Sequence, residues 1–218
     1  VRSVGRGSWS ISFTGANLLL AHVLAVRTTA DLPLHDTLIP EPLIPKPPPM
    51  RIPPSLGART AAAQQWAAWW RIVWAQNVAH HREEPVQPAA PLFGLDLLYS
   101  LDPPKFASLT PAPELRQIVA SSWKALSDWT QQLSDSEVDR EIWPHDPQDL
   151  IARAGAKAGR PITDVVVHLE VLPVVGNLRW VLTEDPNRHF LHVIVTPAVA
   201  ADLRLRDDWL LDALIRIG

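Results

Sequence analysis

The alternation of apolar and polar positions is clearest in the last third of the chain. From Ile162 to Leu172, Val165, Val167, Leu169 and Val171 fall on one side of an extended segment and Asp164, His168 and Glu170 on the other, which predicts a half-buried strand. Two more strands are expected, from Leu178 to Thr183 and from His189 to Thr196, joined by a Glu184-Asp185-Pro186-Asn187 turn. With Trp180 opposite Leu191, the inner face would hold Leu178, Trp180, Leu182, Leu191, Val193 and Val195. The outer face would then hold Arg179, Val181, Phe190 and His192. A helix should precede the strands, capped by Asp146, opened by Pro147 and ending near Gly159. Another should follow, near Asp207 to Ile217, with Trp209, Leu210, Ala213, Leu214 and Ile217 covering the sheet. The order α-β-β-β-α over residues 145–218 predicts an α+β unit with a three-stranded antiparallel sheet.

Upstream the period lengthens to that of a helix. At about 100° per residue, Ala62, Trp66, Trp69, Trp70, Val73, Trp74 and Asn77 share one side of a helix expected from about Ala58 to Arg82, with Gln64, Arg71 and Arg82 opposite. Each tryptophan can bury roughly 150 to 250 Å², about 4 to 6 kcal/mol of gross transfer energy, so this face needs cover. That cover is either the domain's own core or a partner. A second amphipathic helix, about Pro111 to Leu133 with Thr110 as N-cap, places Leu115, Ile118, Val119, Ser122, Leu126, Trp129 and Leu133 on one face as its packing mate. Near the start, Trp9 to Thr14 alternates as a strand would, and the apolar run after Gly15 suits a short buried helix with Asn17 as N-cap.

Proline changes this picture twice. Residues 31 to 54 contain nine prolines, whose fixed φ and missing N–H oppose helix and sheet interior, so the tract should run extended. Leu38, Ile39, Leu43, Ile44, Met50 and Ile52 punctuate it, which suits an arm laid on an apolar surface. Residues 85 to 113 form a second proline-rich connection. The segments expected are therefore 1–30 (strand and helix), 31–57 (arm), 58–134 (tryptophan-rich helical region) and 145–218 (α+β unit). The helical N-terminal part and the arm complete the α+β fold class.

Composition narrows the function classes. The 218 residues, 47% of them hydrophobic, can build a sizeable core. A net charge of −3 without a basic block does not suit nucleic acid. The absence of cysteine excludes thiolate metal sites, disulfides and cysteine nucleophiles. Sixteen arginines against four lysines resemble the usage of a GC-rich bacterial genome. The apolar run Leu18 to Val26 has the outline of a secretion signal, yet His22 interrupts it and it is too short to span a bilayer. A retained segment, a soluble chain and a cytoplasmic location are the expectation.

Candidate chemistry is sparse. His80, His81 and Glu84 end the tryptophan helix, where His80 and Glu84, four apart, can face one metal ion; histidines there also complement the helix dipole with no ligand. His168, Glu170, Arg179 and His192 gather on the expected outer sheet face, where two histidines and a carboxylate can bind a metal ion or form an acid/base pair with an anion-holding arginine; the same residues are what a solvated sheet face normally carries. His145-Asp146 and His35-Asp36 stand near no serine nucleophile motif, and Gly155 to Arg160 lacks the spacing of a phosphate loop. The pattern points to a non-enzymatic structural, adaptor or accessory protein without a cofactor, binding a protein partner or itself. Trp66, Trp69, Trp70, Trp74, Leu43, Ile44 and Met50 are its interaction candidates, and a metal-dependent or acid/base hydrolase is the alternative.

Overall fold

The stripe predicted within Ile162–Leu172 becomes the middle strand of a five-stranded mixed sheet. The computed structural model describes residues 2–6, 9–33, 43–50, 55–81, 103–135, 147–187, 189–203 and 208–218. These form strands β1 (Arg2–Arg6), β2 (Trp9–Ala16), β3 (Val166–Val171), β4 (Arg179–Asp185) and β5 (Phe190–Val195). The helices are α1 (Leu18–Thr29), α2 (Leu56–His81), α3 (Pro113–Asp135), α4 (Pro147–Ala158), α5 (Pro197–Leu203) and α6 (Asp208–Ile217). The chain divides into two compact units, one of Val1–Asn17 with Leu133–Gly218 and one of Leu18–Gln132. No helix among the described residues is long and apolar enough to cross a membrane.

In the first unit the fold class is α+β as expected, but the sheet differs from the three-stranded antiparallel one. Its order is β1-β2-β3-β5-β4. β3 runs parallel to both β2 and β5, while the β1–β2 and β4–β5 pairs are antiparallel. The N-terminal hairpin thus joins the C-terminal strands. Parallel pairing follows from chain path: β3 reaches β5 only after β4 has reversed direction, so β5 resumes the direction of β3. Ile11, Val167, Leu169, Val171, Leu191, Val193 and Val195 line one face and pack with Leu150, Ala154, Leu210 and Leu214 of α4 and α6. β5 is buried on its other face too, where Ile194 and His192 are 0% exposed, in keeping with a nearly continuous apolar run.

β4 sits in a different register from the expected one. Trp180 lies opposite Ile194, and a bulge falls between Val181 and Thr183. The strand continues to Asp185, which pairs with Phe190. The turn therefore lies beyond the expected position, with the Asp185 carboxylate accepting the Asn187 backbone N–H at 3.0 Å. An odd shift exchanges faces. Arg179, Val181 and Glu184 consequently take the helix side, and Trp180 and Thr183 the other. Val181 is 49% exposed and Leu178 41%. The two ionic side chains on the helix side are matched by α6: Arg179 lies 4.3 Å above the Trp209 ring, and Arg216 Nε donates to Glu184 at 2.7 Å.

α4 ends as its sequence directs. Gly159 takes φ +68°, the Arg160 N–H reaches Gly155 O, and the Gly159 N–H reaches Ala156 O, the paired bonds of a Schellman cap. No atom lies within 4 Å of a Cβ added there, so only backbone strain opposes substitution.

The second unit is helical. α1 is buried on nearly every side from Leu20 to Thr29, as a helix apolar all round should be. α2 begins at Leu56, with Ser55 Oγ accepting the Ala58 N–H. Trp66 and Trp69 are 0% exposed, Val73 1% and Trp70 8%, with Trp74 half-buried, which matches the expected face. Trp66 Nε1 donates to Val23 O at 2.8 Å, joining α2 to α1. α3 begins two residues later than expected. A 3-10 turn, Ala107–Leu109, absorbs Thr110, whose hydroxyl donates to Ala107 O. Its N-terminus is capped from α2 instead: Gln65 Oε1 accepts the Leu115 N–H at 2.9 Å and Gln65 Nε2 donates to Glu114 at 2.5 Å.

Gly159→Ala should lower unfolding stability by about 1 kcal/mol, the cost of a left-handed residue with a Cβ. Urea denaturation reads this directly, and an unchanged midpoint would refute the cap.

Candidate functional site

Strand register brings the polar residues of the first unit into a row. Ser12 of β2 pairs laterally with His168 of β3, His168 with His192 of β5, and Thr183 of β4 lies beside His192. The Ser12 hydroxyl and His168 Nδ1 are hydrogen-bonded. The His168 and His192 rings meet edge-on at 6.3 Å, and Phe190 stands 5.4 Å from His168. One residue pair along, His192 Nε2 is 3.5 Å from Glu170 Oε1, while Asn17 Nδ2 donates to Glu170 Oε2 at 2.5 Å. Ser12 is 7% exposed, Glu170 3% and His192 0%. Such a chain of polar contacts in a water-poor site supplies buried polar groups with partners.

The outer-face set expected from sequence is therefore split. His168, Glu170 and His192 come together, whereas Arg179 lies opposite Val195 on the helix side, over Trp209. Ser12 and Asn17 were missed because they come from the N-terminal segment, 156 and 153 positions away from His168 and Glu170. Polar alternation in Trp9–Thr14 hints at Ser12, whereas Asn17 reads from sequence only as an N-cap. His189 has a structural role, its Nδ1–H donating to Ile217 O at 2.5 Å and tying the β4–β5 turn to the end of α6.

Among the described residues no three His, Asp or Glu side chains are grouped to hold a metal ion. His80 and His81 form the last turn of α2, but Glu84 lies outside the described residues, as do His35-Asp36 and His145-Asp146. The bond pattern on the sheet contains the parts of an acid/base relay, a serine on a histidine and a carboxylate on another. Ser12, Glu170 and His192 are buried, and His168 is half-buried.

In the second unit, the interaction candidates separate by exposure. Trp66, Trp69 and Trp70 are covered by this chain, Trp74 and Met50 are half-buried, Leu43 is 3% exposed and Ile44 53%. Residues 43–50 of the arm lie on the helices: Trp129 Nε1 donates to Pro45 O at 3.2 Å, the Met50 N–H donates to Thr29 O at 3.2 Å, and Pro47 is buried. Residues 34–42 and 51–54 of the arm lie outside the described residues. Beside its end is a cavity of about 660 Å³ bounded by Thr29, Pro49, Met50, Ser122, Lys124 and Asp128.

His22 of α1 is 4% exposed, and burial lowers its pKa from 6.5 to about 4. It is neutral at pH 7.

No protein-family model, curated protein or solved structure matches the chain.

Two outcomes follow from these buried groups. Asn17→Ala should cost roughly 1.5 to 3 kcal/mol, because it removes a hydrogen bond to a buried carboxylate; chemical denaturation measures it, and a neutral effect would show that Glu170 does not depend on Asn17. Between pH 6.5 and about 4 the unfolded chain protonates His22 and the folded chain does not, so stability falls as pH drops through that window. The total loss from this residue is roughly 3 kcal/mol. Wild type should therefore lose more stability than His22→Leu between about pH 7.5 and 4; parallel curves would contradict the buried neutral imidazole.

Proposed function

We propose that the protein is a non-enzymatic assembly or adaptor component whose helical unit holds an extended, proline-containing protein segment. The observation that carries this reading is the seat of residues 43–50. A proline-rich stretch has carbonyl acceptors but few N–H donors, and an indole N–H is a donor only. The Trp129–Pro45 bond joins these complementary groups, and Leu43 and Pro47 fill the apolar positions on either side. Such a segment is already restricted in conformation, so little ordering entropy opposes its docking.

In this reading the chain's own arm occupies the seat, and a partner's arm, or that of a second copy, uses the same contacts. The exposed Ile44 and the cavity beside Pro49 and Met50 provide room for neighbouring side chains. Hydrolysis is the weaker reading. It would require substrate to reach Ser12 or Glu170 through the half-buried His168, and the burial of Ser12, Glu170 and His192 suits a role in holding the sheet.

A fluorescent peptide with the sequence of residues 43–50, titrated into a full-length Leu43→Asp variant whose own arm is loosened, should bind saturably. Adding Trp129→Phe to that variant should weaken binding by about fivefold or more, the loss expected for one hydrogen bond. No binding up to about 1 mM peptide with native circular dichroism, or equal binding without Trp129, overturns the proposal.

A further inference from the structure

A second opening in the helical unit is independent of the arm seat and has a different chemistry. Leu18, Leu19 and His22 of α1 and Trp123, Ser127 and Thr130 of α3 line a cavity of about 330 Å³. The spacing places these residues along one stripe of each helix. Leu18, at 38% exposed, marks the side open to solvent.

His22 gives the cavity its character. The side chain is 4% exposed, and its buried Nε2 has no hydrogen-bond partner among the described residues. A ring nitrogen in that state forgoes a hydrogen bond that water would supply in the unfolded chain, which is unfavourable unless something else completes it. The Trp123 ring lies 5.0 Å from the imidazole, tilted by 52°, and presents an aromatic wall. Thr130 donates its hydroxyl proton to Leu126 O at 2.5 Å, so toward the cavity it offers lone pairs only. No lining side chain carries a formal charge with His22 neutral.

We propose that the slot between α1 and α3 binds a small uncharged aromatic molecule bearing one hydroxyl or N–H group, whose polar group completes the hydrogen bonding of His22 while its ring packs against Trp123. The volume is at the small end of ligand pockets and suits one or two fused rings. An anion or cation would find no countercharge in the wall. A purely apolar ring would leave the imidazole nitrogen as it is.

The test uses the full chain, labelled with nitrogen-15, titrated with phenol and indole as hydroxyl and N–H probes, toluene as the apolar control and benzoate as the charged one. Saturable shifts of the His22 ring and the Trp123 indole resonances are expected with phenol or indole. Toluene should bind about tenfold more weakly and benzoate should leave the spectrum unchanged. His22→Leu should reduce phenol or indole affinity about tenfold. Ser127→Trp, which fills the slot from the less buried helix, should abolish binding and keeps the test valid if the His22 variant fails to fold. The inference is overturned by an unperturbed His22 ring at probe saturation, by equal affinity for toluene and phenol, or by a slowly exchanging water on His22 that no probe displaces.

Discussion

The parallel pairing of β2 with β3 is the constraint from which the arrangement of the first unit follows. Once Ser10 to Ala16 lies beside Val166 to Val171, β3 has neighbours on both edges and becomes central. A central strand flanked by parallel neighbours is normally covered on both faces, so every polar side chain it carries must find an internal partner. His168 and Glu170 are the two polar residues of β3, and the elements that reach them from outside the C-terminal segment are Ser12 and Asn17. The N-terminal hairpin therefore extends the sheet and also neutralises the polarity of its middle.

Local pattern predicted what local interactions decide. Gly159, with its left-handed φ, sits where a helix of this length should stop. The tryptophan face of α2 follows the wheel at Ala62, Trp66, Trp69, Trp70 and Val73, which are buried, while Trp74 and Asn77 at its end are half-buried. The α+β class and the three C-terminal strands were equally legible. The β4 register was not, since the exchange of faces turns on where Asp185 folds back on Asn187 and on one bulge, neither of which alters the hydrophobic pattern. Edge strands are weakly specified in this way: Arg179 and Glu184 can occupy the helix side because Trp209 and Arg216 receive them.

The candidate site was legible only in part for a related reason. His168, Glu170 and His192 share a face by alternation alone, and they do lie together. Their partners come from a segment whose place in the sheet no periodicity can show. In the helical unit the same limit appears at α3, whose first turn is capped by Gln65 from another helix while the nearby Thr110 closes its own turn. It appears again at the arm, where hydrophobic punctuation indicated docking but the Trp129 bond to Pro45 depended on tertiary approach. His22 looked like a blemish in an apolar run, and its burial is what makes it informative.

The placement of β2 also bears on the order of events at the ribosome. Its partners on β3 lie about 156 positions downstream, and the helical unit is spelled out between them. At ordinary elongation rates of roughly 5 to 20 residues per second, the first hairpin emerges on the order of 10 seconds before the strand it must join. During that interval one edge of β2 offers unsatisfied amides to any other nascent chain. Slow translation or crowded polysomes would thus threaten this half of the molecule first, while the intervening helices, whose contacts are closer in sequence, complete their packing unhindered.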